Sequence, residues 1–114
     1  MSPRVVVTGV GLLSSVGIGT EATWQGVLAG ASGIRRITAF DASRFSCQIA
    51  GEVQGFDPAL YIEKKEIKKM GRFIQFAIAA ADCAMRSAAL RSDPAEAERV
   101  GVYIGSGIGG FEVI

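Results

Sequence analysis

The sequence predicts an α/β protein. Two β-branched runs, Val5-Val6-Val7-Thr8 and Val100-Gly101-Val102-Tyr103-Ile104, lie far apart in the chain, and a long apolar helical pattern from Phe73 to Leu90 precedes the second. Runs without polar alternation read as strands buried on both faces, the habit of parallel sheets covered by helices. A right-handed crossover would place both runs in one parallel sheet with the helix packed on it.

Each element follows from its local pattern. Val10 continues the first run after Gly9, and the glycines at 9, 11, 17 and 19 mark residues 11 to 19 as loop. Thr20 is placed to cap a helix whose Trp24, Val27 and Leu28 share one face, and Gly30 is its stop. Residues 31 to 44 show no period. Phe45, Cys47, Ile49, Gly51 and Val53 then alternate with Ser46, Gln48, Ala50 and Glu52, which predicts an extended segment with the first set buried. Ala59 to Met70 reads as a charged helix that Gly71 interrupts. The helix from Phe73 has a thin polar stripe, Gln75, Asp82 and Arg86, so it is expected to be buried on most sides, with its alanines admitting close neighbours. Asp82 and Arg86 are spaced to pair. Ala95 to Ala97 reads as one more turn.

Composition excludes several classes of function. The 114 residues are 49% hydrophobic and 20% charged with a net charge of +1, which is globular and exerts no general pull on nucleic acid or anionic membrane. No apolar run reaches spanning length, and the first residues carry no leader-like pattern, so a cytoplasmic setting is expected. There is no histidine, and the two cysteines, Cys47 and Cys83, form neither a CxxC pair nor a disulfide framework. A thiol–imidazole or serine–imidazole pair is therefore excluded within these residues, and no metal site is expected. Both cysteines are expected to be buried structural thiols.

Gly105-Ser106-Gly107-Ile108-Gly109-Gly110 matches the spacing of a dinucleotide-binding loop, in which backbone N–H groups approach a pyrophosphate at a helix N-terminus. That reading needs a following helix, another strand and an acidic residue about 20 positions on. Gly9-Val10-Gly11-Leu12-Leu13-Ser14 is a poorer match. Tight backbone packing at strand ends is the preferred reading of both loops.

Taken in order, several words resemble one family: Arg4–Gly17, Thr23-Trp24, Ser32-Gly33-Ile34, Phe40-Asp41, Lys65-Glu66, Lys69-Met70, Phe73-Ile74-Gln75, Val100-Gly101 and Gly105–Gly110. Their succession is similar to the opening of the elongating β-ketoacyl-acyl carrier protein synthases. The resemblance implies a thiolase-like fold, with residues 1–114 forming an N-terminal segment of its first half and contributing to a mainly buried five-stranded sheet. It implies a homodimer that condenses a cysteine-bound acyl chain with malonyl-acyl carrier protein, without a cofactor, through a cysteine and two histidines. None of those three catalytic residues is among residues 1–114, so these residues alone are expected to be inactive and poorly soluble.

The resemblance also places Ile108 beside the acyl pocket. Lys64, Lys65, Lys68 and Lys69 crowd one side of a helix at four-residue spacing, with Ile67 and Met70 inward. From Glu63 to Arg72 these lysines and Arg72 make five positive charges against Glu63 and Glu66. A solvated face is one reading. The resemblance implies the other, a docking surface for acidic acyl carrier protein. Two alternatives stay open for the whole chain: a carrier-protein-binding module without catalysis, and a nucleotide-binding domain.

Overall fold

The computed structural model describes residues 1–91 and 97–110. They fall in two units, Leu12–Asp57 and Met1–Gly11 with Pro58–Ile114.

In Leu12–Asp57, the segment expected to be loop is a tight hairpin. Strand β1 (Leu13–Ser14) pairs antiparallel with β2 (Gly17–Ile18), Leu13 opposite Ile18. Helix α1 (Thr20–Leu28) follows at once. Its N-cap is Gly19 at φ 89° rather than Thr20, which is the first helical residue. Thr23 holds the helix to the hairpin: its Oγ1 lies 3.0 Å from the Gly17 carbonyl and 3.1 Å from Ser14 Oγ. Glycine permits this contact, because a Cβ on Gly17 would meet the Thr23 nitrogen at 2.5 Å. The expected apolar face of α1 is a correction: Trp24, Val27 and Leu28 are exposed, while the buried residue is Thr23. The small residues Thr23 and Gly26, three apart, are what the hairpin admits against it.

Strand β3 (Ile34–Arg36) pairs antiparallel with β4 (Ile49–Gly51), with Arg35 opposite Ala50. The ladder is shorter than the alternation from Phe45 to Val53, and its burial is reversed between Cys47 and Glu52 but not at the ends of the segment. Phe45, Cys47, Ile49 and Gly51 are exposed, whereas Gln48, Ala50 and Glu52 are half-buried; Val53 is half-buried and Ser46 exposed, as expected. The polar residues explain this. Glu52 accepts hydrogen bonds from Thr38 N, Thr38 Oγ1 and Ala39 N at 2.8–3.2 Å. Gln48 donates to the Ser43 and Phe45 carbonyls and accepts from Arg36. These bonds tie down the connection between β3 and β4, so the polar side of β4 is the covered one.

In the second unit, the expected helix from Ala59 to Met70 reduces to a 3-10 turn at Pro58–Leu60 and a single-turn helix α2 (Lys64–Ile67). Glu63, at ψ 134°, is extended and makes no side-chain cap bond. Lysines four apart repel along the helix, and the exposed Lys65–Glu63 and Lys69–Glu66 pairs are too weak to offset the cost of nucleating a longer one. Gly71 is extended and starts α3 (Arg72–Ser87), the long helix expected from Phe73. The later turn is a 3-10 helix at Ala97–Arg99, while Ala95 lies outside the described residues.

Helix α3 carries two apolar stripes. Ala80, Ala84 and Ala88 recur every fourth residue and receive the segment containing Gly9 and Gly11. A Cβ on Gly9 would lie 2.6 Å from Ala88 N, and one on Gly11 2.7 Å from Ala84 N. Close packing is therefore what these first glycines provide. Asp82 and Arg86 pair as their spacing predicts. The helix is less covered than expected: Ala79 is fully buried, but Phe73, Ile74 and Met85 are exposed.

Neither Val5–Thr8 nor Val100–Ile104 joins a ladder among the described residues. Val7 is 84% exposed and Val102 is 85% exposed. A strand is defined by its neighbour's hydrogen bonds, and β-branched residues supply the preference without the partner. The described ladders lie in Leu12–Asp57 and are antiparallel.

Candidate functional site

The second stripe of α3 faces the other β-branched run. Phe73, Ile74, Ala77, Ile78 and Ala81 line a groove of about 400 Å³ together with Val102, Ile104, Gly105 and Ser106. Of these, only Gly105 and Ser106 belong to a motif weighed as a site in the sequence, the Gly105–Gly110 loop; the walls on α3 were not named as a site. Their spacing along α3 was the available signal, since a helix with apolar residues beyond one stripe has a second face to cover. Among the described residues its wall is apolar apart from the Ser106 hydroxyl, which suits it to apolar matter.

The glycine loop adjoins this groove, and its parts differ. A Cβ on Gly105 or Gly107 would meet nothing within 4 Å, so the tight-packing reading fails there. It holds at Gly109, which has φ 54° and whose Cβ would lie 2.8 Å from the Phe73 ring. Ile108 is 78% exposed and does not line the groove. No helix begins among the described residues of this loop. The structure thus lacks, among those residues, the helix N-terminus on which a bound pyrophosphate relies.

All four lysines are exposed, and Ile67 and Met70 are half-buried, although Lys68, Lys69 and Met70 lie beyond the end of α2, so the helical spacing expected for them is not what places them. Lys65 pairs with Glu63 at 2.8 Å and Lys69 with Glu66 at 2.8 Å. Lys64 and Lys68 have no acidic partner among the described residues. The structure therefore divides the predicted cluster into two compensated lysines and two uncompensated ones. Exposed pairs of this kind are worth well under about 1 kcal/mol, so Lys65 and Lys69 exchange partners at little cost. Gln75 anchors the segment from below by donating to the Ile67 and Met70 carbonyls. Arg72 stacks over the Phe76 ring with its carbon 5.1 Å from the centroid.

Neither cysteine is buried as expected, and Cys47 departs further. Cys47 is exposed, with its Sγ 3.5 Å from the Ile49 carbonyl. Cys83 is half-buried on α3, 3.9 Å from an Arg86 nitrogen. Burial, and next the neighbouring Cys83, push the Tyr61 hydroxyl above its ordinary range. Asp82 raises the Arg86 guanidinium further above its usual value. No group of three or more metal-ligating side chains exists among the described residues.

Residues 2–113 match the family model of the β-ketoacyl synthase N-terminal domain. The chain belongs to the β-ketoacyl synthase family. It is 50% identical over 111 residues to 3-oxoacyl-[acyl-carrier-protein] synthase 2 of Vibrio cholerae, covering 97% of this chain and 27% of that protein. It is 46% identical over 109 residues to the synthase 2 of Staphylococcus aureus, covering 96% of this chain and 26% of that protein. Among solved structures, the ishigamide ketosynthase/chain length factor superposes with a TM-score of 0.71 at 43% identity, over 77% of this chain and 22% of that one. The β-ketoacyl synthase chain described here thus spans about a quarter of the length of these curated relatives. Among its described residues no helix is long and apolar enough to cross a membrane.

Proposed function

We propose that this chain is the N-terminal part of a condensing enzyme that lengthens fatty acyl chains on acyl carrier protein. The observation that carries this reading is the 50% identity, across 97% of the chain, to a 3-oxoacyl-[acyl-carrier-protein] synthase. In the proposed reaction malonyl-acyl carrier protein loses carbon dioxide. The carbanion left behind attacks an acyl thioester on an enzyme cysteine. A carbon–carbon bond forms as the carbon–sulfur bond breaks, and the chain grows by two carbons. The 114 residues contain no histidine, and neither of their cysteines serves as the nucleophile in this proposal. Their role is scaffold and recognition, within the first half of a thiolase-like fold whose five-stranded sheet takes in Val5–Thr8 and Val100–Ile104. The complete enzyme works as a cytoplasmic homodimer.

Lys64, Lys65, Lys68 and Lys69 are the proposed docking surface for the acidic carrier protein. What supports this is their exposure, together with the absence of acidic partners at Lys64 and Lys68 among the described residues. Opposite potential across such a surface raises the encounter rate more than it holds the complex. The test reverses Lys65 and Lys69 to Glu in the complete protein and follows carrier-bound substrate at low and high salt. kcat/KM falls about tenfold at low salt and recovers toward the unmodified value as salt screens the surface. Unchanged kinetics at low salt would reduce the cluster to a solvated face. The isolated 114 residues, assayed alongside, release no carbon dioxide from malonyl-acyl carrier protein; release would overturn the scaffold role.

Ile108 is the proposed wall of the acyl pocket. Its support is its exposure in this chain, which leaves a branched apolar side chain between glycines available for contact. Ile108→Phe in the complete protein shortens the preferred acyl chain by filling space. A normally folded variant with an unchanged chain-length profile would remove Ile108 from the pocket.

A further inference from the structure

No further inference is drawn: the strongest candidate, the apolar groove between the first half of α3 and residues 102–106, is an unpartnered face and nothing in the structure shows what covers it.

Discussion

Both units leave large apolar side chains exposed, but Leu12–Asp57 pairs its strands, whereas the β-branched runs of the unit built on α3 join no described ladder. In the first, Thr23, Gln48 and Glu52 bond to backbone within the same short stretch, and both hairpins close locally. In the second, Val5–Thr8 and Val100–Ile104 carry strong β preference yet stand outside any described ladder. The difference teaches that preference and partnership are separate requirements. The two ladders of Leu12–Asp57 find their partners across two and twelve residues, while a strand of a parallel sheet depends on neighbours farther away in sequence.

The comparison is broken most severely at Gly11. Gly11→Val drives its Cβ into the backbone of α3 at Ala80 and Ala84, and overpacking of that kind costs roughly 1–3 kcal/mol or more. Urea unfolding of this variant shows a lowered midpoint. Gly107→Ala, which meets nothing within 4 Å, changes stability by less than about 0.5 kcal/mol. Equal effects at the two glycines would mean that α3 does not receive the N-terminal segment as described.

How the two main helices end sharpens the contrast at smaller scale. After α1, Gly30 sits at φ 64°, with Gly30 N donating to Val27 O and Ala31 N to Gly26 O. After α3 the same pair of bonds forms, from Ala89 N to Arg86 O and Leu90 N to Met85 O, but the left-handed residue is Ala89 at φ 51°. Glycine takes this conformation freely and alanine does not. Ala89→Gly therefore stabilises by about 1 kcal/mol, and Gly30→Ala destabilises by a similar amount. Thermal unfolding of the two variants measures this; shifts of the same sign would refute the cap assignment.

What was legible in the sequence follows the same division. The period of α3, the stop at Gly30, the Asp82–Arg86 pair and the close packing of Gly9 and Gly11 all rest on contacts that spacing encodes. The hairpin at Leu13–Ile18 was hidden because two-residue strands have no measurable period, and Ile34-Arg35-Arg36 offers none either. The alternation at Phe45–Val53 was seen but its covered side was misjudged between Cys47 and Glu52, since the hydrogen bonds that Gln48 donates and Glu52 accepts outweighed apolar character. The lysine cluster was legible as a charge run. Its division by Glu63 and Glu66 was not, because a charge count cannot say which side chains meet. Ile108 was named through the family resemblance alone, and the neighbouring groove went unnamed because its two walls lie more than twenty residues apart.

Hydrogen–deuterium exchange tests the separation of preference from partnership most directly. In this 114-residue chain, exchange is slowed at Gly19 and Ile37, whose amides bond to the Leu12 and Gln48 carbonyls. Exchange is near-intrinsic across Val5–Thr8 and Val102–Ile104. Protection of those two β-branched runs equal to that of the hairpin unit would contradict that separation.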